Sequence, residues 1–248
     1  MKRLLSSELL KLRTTRTFYA LTGGAVALIV IIAVLGAALG TFKNTGTPGR
    51  NLLSVAGLAP LFALVIGVIG VTTEFRHGTI TPSLLVQPVR TRLMVAKLAA
   101  QLIAGLALGV VCYGACAGVV AVILSGRGIA TAMTTGDWTA AVIGGAVATM
   151  LYAAVGLGVG ALLRNQVGAI VVVLAWVFVI ETLLGIIPGG FGDEIKKYGL
   201  SGVGSSLART AGDASRIGQV PAGLLLLGYA LVLVIAGTMV VRQRDVSS

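Results

Sequence analysis

Six stretches of the chain stay apolar long enough to cross a bilayer, with polar and charged residues gathered between them: residues 20–40, 52–73, 98–124, 138–163, 167–187 and 221–241. A hydrocarbon core about 30 Å thick needs roughly 20 apolar residues at 1.5 Å each. Pro60 lies inside the second stretch and is expected to kink that helix, since membrane helices tolerate proline. Only Arg164, Asn165 and Gln166 separate the fourth stretch from the fifth. One continuous helix through both would overshoot any bilayer, so a tight helical hairpin is expected there. Ahead of the first span, Leu5, Leu9 and Leu12 recur at i, i+4 and i+7 among Lys2, Lys11, Arg13 and Arg16. That spacing predicts an amphipathic helix over residues 1–19, lying in the membrane interface. The first apolar run is too long for a signal peptide and is read as an uncleaved helix. The fold class is therefore all-α, a polytopic membrane protein with six transmembrane helices and an N-terminal interfacial helix.

Composition sharpens this picture. Of 248 residues, 56% are hydrophobic and 11% charged, against roughly 25% charged in soluble domains. Aromatics are scarce at 5%, and 35 glycines fill much of the apolar length, which suits close helix packing in lipid. No segment between spans is long enough for an independent domain. The whole chain, 1–248, reads as a single transmembrane domain.

The net charge of +11 would point to nucleic acid in a soluble protein. Here it reports orientation, because positive residues collect in cytoplasmic loops. With the N-terminus inside, twelve Lys and Arg fall in inner segments and seven in outer ones. An even number of spans returns the C-terminus to the same side, so both termini are expected in the cytoplasm and no nucleic-acid partner is expected. Residues 188–220 then form an extracellular loop.

The chemistry usually carried by motifs is missing. The sequence contains no G-x-x-x-x-G-K-[ST] phosphate loop, no G-x-S-x-G and no H-E-x-x-H, so nucleotide cradling and the common serine and zinc hydrolase signatures are excluded. Neither a cofactor nor a catalytic or metal centre is expected. Cys112 and Cys116 share one helix face and read as packing residues. Five GxxxG pairs occur, among them Gly105/Gly109 and Gly156/Gly160, roughly the number chance gives at this glycine content, so the motif carries no information by count. Glu181 is the one acid deep in a span, about 9 Å from the end of the fifth helix. Such a residue must face protein, water or a partner; a functional role and a structural anchor beneath the outer loop both fit.

Three segments carry a resemblance. After the second span the chain reads Thr73-Glu74-Phe75-Arg76-His77-Gly78-Thr79-Ile80, then Leu84-Leu85-Val86-Gln87-Pro88-Val89-Arg90 and Lys97. The start reads Ser7-Glu8-Leu9-Leu10-Lys11-Leu12-Arg13, and Arg242-Gln243-Arg244-Asp245-Val246 follows the last span. In order and spacing these resemble a permease subunit of the ABC type-2 exporter family, of the short bacterial six-helix kind without its own ATPase. Within the loop over residues 74–97, Thr81 is a good N-cap and Pro82 a good first helical residue, while Gln87-Pro88 stops the helix. The short helix would expose Leu84 and Leu85, which need a partner surface or the headgroup layer. The resemblance makes it a coupling helix docked on a separate ATPase subunit, with Glu74, Arg76, His77 and Gly78 at its root. It further implies alternating access, a second copy of the permease or a similar chain as the other half, and the bacterial cytoplasmic membrane as location. Exporters of drugs, peptides, lipids and polysaccharides share this framework. The alternative is an ATP-independent membrane protein, either a secondary transporter or a structural membrane partner. Ion-coupled transporters usually carry several intramembrane charges, which this sequence lacks.

Overall fold

The computed structural model describes residues 2–41, 46–78, 90–188, 190–210 and 217–243. Among them every regular element is helical. The first helix, α1 (Lys2–Thr14), leads through Thr15 into the first span, α2 (Arg16–Leu39). The second span combines α3 (Pro48–Leu53), a 3-10 turn (Ser54–Leu58) and α4 (Ala59–Arg76). The third is α5 (Arg90–Gly126) and the fourth α6 (Thr135–Leu163). The fifth is built from α7 (Gln166–Ala175), a π turn (Trp176–Ile180) and α8 (Glu181–Ile186). Two short helices, α9 (Gly190–Tyr198) and α10 (Leu200–Leu207), precede the sixth span, α11 (Gln219–Gln243). Six of these helical units are long and apolar enough to cross a membrane, as the sequence pattern predicts.

Large apolar side chains point outward along the spans, including Ile31, Val122, Ile143, Val171, Phe178 and Val232. In water this surface would be costly; in lipid it is the expected exterior. The interior combines large side chains such as Leu64, Tyr113 and Leu157 with many alanines and with glycines at the helix crossings. In α2, Ala25, Ile29, Ala33 and Ala37 form one buried stripe four residues apart, flanked by half-buried Phe18, Leu21 and Val26. The most enclosed span is α6, packed against α4, α5 and α11. A methyl group at Gly156 would overlap the Leu64 carbonyl of α4, and one at Gly67 the Ala153 carbonyl of α6. Gly105 and Gly109 of α5 also lie against α6, where an added methyl group would stand 3.0 and 2.6 Å from its atoms. Two of the five GxxxG pairs thus sit at helix crossings, where small residues let backbones approach; Gly114 and Gly118 have open space instead.

Local chemistry explains the interruptions. Pro60 stands in the first turn of α4, directly after the 3-10 turn that interrupts the second span. Lacking an N–H, it cannot donate to a carbonyl one turn back; Ala59 donates to Ala56 instead, closing the 3-10 turn. The fourth and fifth spans do form a tight hairpin. Arg164 ends α6 in the left-handed region at φ 54°, and Asn165 caps α7 by accepting from the Gly168 N–H at 3.0 Å. At the other end of α6, Thr134 and Asp137 form a reciprocal capping box. The 37 residues of α5 run about 55 Å at 1.5 Å per residue, well beyond a hydrocarbon core. Residues 90–97, expected within the loop, are its first turns, because Arg, Leu, Met, Ala and Lys all favour helix. The short helix expected over residues 82–86 lies outside the described residues. In the 188–220 segment, α9 and α10 supply the helices there, and Val203, Gly204, Ser206 and Leu207 of α10 are buried.

Candidate functional site

At the end of the bundle that carries α1, three helices meet around charged groups. The Lys97 ammonium, on α5, donates to Glu74 Oε1 of α4 at 2.5 Å and to Glu8 Oε2 of α1 at 2.9 Å. Lys11, one turn along α1, donates to Glu8 Oε1 at 2.8 Å and to the same Glu74 oxygen at 2.9 Å. Two carboxylates and two ammonium groups therefore alternate in a closed, charge-balanced ring. Three of its members are withdrawn from solvent: the Lys97, Glu8 and Glu74 side chains are 3%, 7% and 9% exposed. Lys11 is half exposed and closes the ring toward solvent.

Burial opposes ionisation of Glu8, but the Lys97 charge and the hydrogen bonds from both lysines outweigh it and hold its carboxyl below the ordinary carboxylate value. Burial likewise opposes the charge on Lys11, yet its bonds to Glu8 and Glu74 raise it above the ordinary lysine value. A cavity of about 100 Å³ adjoins the ring, walled by residues that include Phe18, Leu21, Gly70 and Thr73. Glu74 Oε2 and Gln101 Oε1, both from residues bordering it, are buried acceptors without a hydrogen bond. The arrangement ties an interfacial helix to the ends of two spans through charge-assisted hydrogen bonds, and it leaves two buried acceptors beside the cavity.

The residues singled out from the sequence part company here. Glu74 turns into the ring. Arg76, two residues on, is exposed and donates from Nη1 to Gln166 Oε1 at 3.3 Å, reaching the α6–α7 hairpin. His77 is exposed; its N–H donates to the Thr73 carbonyl and ends α4. Gly78 follows at φ 65°, the left-handed conformation that glycine adopts without a Cβ penalty and that commonly closes a helix. Leu84 and Leu85 lie outside the described residues. Beside this corner, the Arg164 guanidinium stacks 5.4 Å from the Phe75 ring centre and donates to the Val240 carbonyl. Glu8 and Lys97 figure in the sequence only among the segments that carry the resemblance, not as site residues. For Glu8 the signal was present: it stands three residues after Leu5 and four before Leu12, on the leucine face of α1, where an acid needs a counter-charge.

Glu181 occupies the opposite end. Its Oε1 accepts from the Trp176 indole N–H at 3.0 Å and from the Leu200 N–H at 2.6 Å, and its Oε2 from the Ser201 N–H at 2.9 Å. Leu200 and Ser201 open α10, so the carboxylate caps a helix start whose N–H groups lack intrahelical partners. The π turn sits directly before Glu181, and Tyr152 and Tyr229 donate to the carbonyls of Leu200 and Tyr198. Helices α9 and α10 are thereby strapped to three spans.

Six apolar helices, a lipid-compatible exterior and polar clusters confined to the ends define a multi-pass membrane protein. Within that class, the family model described as ABC-2 family transporter protein matches residues 4–182, well over half the chain. The chain belongs to this family, and it is a membrane permease of the ABC transporter class. No curated protein matches the sequence.

Proposed function

We propose that the chain is the membrane-spanning half of an ABC-type exporter, driven by a separate ATPase subunit that docks on the segment between α4 and α5. The charge ring carries this reading. It joins α1, the end of α4 and the first turns of α5, so both roots of the docking segment and the interfacial helix move as one body. Removing one partner of a buried ion pair costs about 3–5 kcal/mol, which makes the ring a stiff link rather than a hinge. When two ATPase subunits close on ATP, the docked segments would pull α4 and α5 together and convert that motion into alternating access. Family membership supports association with an ATPase and with lipid; the absence of a phosphate loop from the sequence leaves hydrolysis to the partner. The other half is a second copy or a similar permease. The excess of positive residues around α1 and residues 74–97 favours both termini on the cytoplasmic side, with 188–220 outside, and the resemblance to short bacterial permeases supports the bacterial cytoplasmic membrane as location. The chain acts as one permease domain, with Glu74, Arg76, His77 and Gly78 at the coupling root and Leu84 and Leu85 on the docking surface.

The test is a pull-down of the permease from its native membrane with ATPase activity measured in lipid. The wild-type chain is expected to bring down an ATPase, and Leu84→Asp with Leu85→Asp to release it, because burying unpaired carboxylates is unfavourable. Arg76→Ala is expected to keep the complex and weaken transport. Full partner binding by the double variant would show that the docking surface is elsewhere. If no ATPase accompanies the wild-type chain, an ATP-independent membrane protein takes the place of this reading.

A further inference from the structure

Under the α9–α10 cap lies a second, larger cavity of about 610 Å³, within the range that encloses drug-sized molecules. Four spans contribute apolar walls, with Leu64 from α4, Val155 from α6, Val172 from α7 and Val232 from α11. Its polar features gather at the cap: the aromatic rings of Trp176, Tyr198 and Tyr229, and the acids Glu181 and Glu194. No basic residue borders it. The donors on Glu181 are an indole and two backbone N–H groups, and neither Glu181 nor Glu194 belongs to an ion pair among the described residues. Trp176 and Tyr198 are 47% and 41% exposed, so their rings remain open to a guest.

We propose that this cavity binds a lipophilic cation, an organic molecule whose positive charge is spread over or wrapped in hydrocarbon. The walls reward apolar area, the aromatic faces attract a cation through their quadrupoles, and two acids without an ion-pair partner add negative charge, Glu181 half-buried and Glu194 exposed. A delocalised charge needs no hydrogen bond to either carboxylate, which matches a cavity with so few polar groups on its surface. An anion of the same shape would meet the two acids with nothing to offset them. Lys196 and Lys197 of α9 are the opposing charges near the cap, the Lys197 ammonium 5.3 Å from the Tyr198 ring centre, and they weaken the cation's binding without bordering the cavity. The site depends on the spans and their cap, not on ATP coupling.

The probe is tetraphenylphosphonium, with tetraphenylborate as its anionic counterpart of matching shape. The only tryptophans are Trp138 and Trp176, so Trp138→Phe isolates Trp176 fluorescence at the cap. In phosphatidylcholine nanodiscs holding the permease without any ATPase, tetraphenylphosphonium is expected to change that fluorescence saturably and tetraphenylborate not to. Glu194→Gln, at an exposed position, is expected to weaken the cation about threefold, and Lys197→Ala to tighten it by a similar factor, as exposed charges allow. Thermal unfolding midpoints of both variants serve as the check on folding. The proposal is overturned if tetraphenylborate binds as well, if the response grows without saturating as for partition into lipid, or if neither charge variant moves the affinity. Loss of ATPase association would leave these outcomes unchanged.

Discussion

Carboxylates stand at both ends of the helical bundle, and they are satisfied in opposite ways. Near α1, Glu8 and Glu74 are answered by full charges, Lys97 and Lys11, brought together from three helices. At the cap, Glu181 is answered by neutral donors: one indole a turn away and the first two N–H groups of α10. The first solution binds elements far apart in sequence into one rigid corner, suited to passing on force. The second holds a small helix against the span that precedes it and leaves the negative charge uncancelled, suited to attracting a cation. Removing a member also has different consequences. A buried ion that loses its counter-ion has no substitute, whereas water can reach part of what Glu181 leaves behind, since Ser201 is exposed.

The largest effect is therefore expected at Lys97. Lys97→Met would leave Glu8 and Glu74 sharing only Lys11 at the rim, and breaking a buried pair typically removes about 3–5 kcal/mol. The variant is expected to accumulate poorly and to unfold at markedly lower temperature in detergent. Adding Glu8→Gln should restore much of the loss, since the one remaining buried acid, Glu74, keeps Lys11. If the single and double variants are equally unstable, charge balance is not what holds this corner and the contrast with the cap collapses.

An intermediate effect is expected at the cap. Glu181→Leu takes the acceptor from the Leu200 and Ser201 N–H groups. Water replaces it at exposed Ser201, while part-buried Leu200 sets the cost, toward the low end of the range of about 1–3 kcal/mol for a buried donor. Glu181→Gln keeps an acceptor for Leu200 and should be milder. Hydrogen exchange of the α10 amides is the measurement: fast exchange in the leucine variant and near-native exchange in the glutamine variant are expected. Equal protection in all three proteins would show that Tyr152 and Tyr229 alone hold the cap.

The spans were legible in the sequence because the bilayer demands about 20 apolar residues in a row, and no local chemistry can disguise that. The hairpin at Arg164–Asn165 was legible for the same reason. Pro60 was read as a kink, and the second span is interrupted directly ahead of it by a 3-10 turn. The glycine pairs show the limit of counting: Gly156/Gly160 and Gly114/Gly118 look alike in sequence, and only the first pair faces another helix. Glu181 was conspicuous as a lone acid, but its backbone partners lie 19 and 20 residues on and carry no side-chain signature. The ring was hidden most deeply. Glu8 and Lys97 are 89 residues apart, and Lys97 read as one more loop cation when it is the first buried charge of a span. Only the acid on the leucine face of α1 hinted at it.

The smallest effect is expected at Lys11, and it tests whether the ring behaves as a closed unit. Half of this side chain is exposed, and exposed ion pairs contribute about 0.2–1 kcal/mol. Lys11→Met should therefore change the unfolding temperature little. Its mark should appear in pH dependence instead. Glu8 titrates below its ordinary value of 4.5 in the folded protein, so its contribution is fully present above that value and lost as pH falls through the lower, folded one. Lys11 titrates above its ordinary value of 10.5, so its contribution is fully present below that value and lost as pH rises through the higher, folded one. A spin label at exposed Ser6 reports whether α1 stays docked. In proteoliposomes its mobility should stay flat between these two limits, rise on strong acidification and rise again at the alkaline extreme. Lys11→Met should keep the acidic rise, since Lys97 still faces Glu8, and remove the part of the alkaline rise that Lys11 causes. A label already mobile at neutral pH in Lys11→Met would mean that the rim lysine, not the buried one, holds α1 in place, and the stiff corner would reduce to an ordinary surface contact.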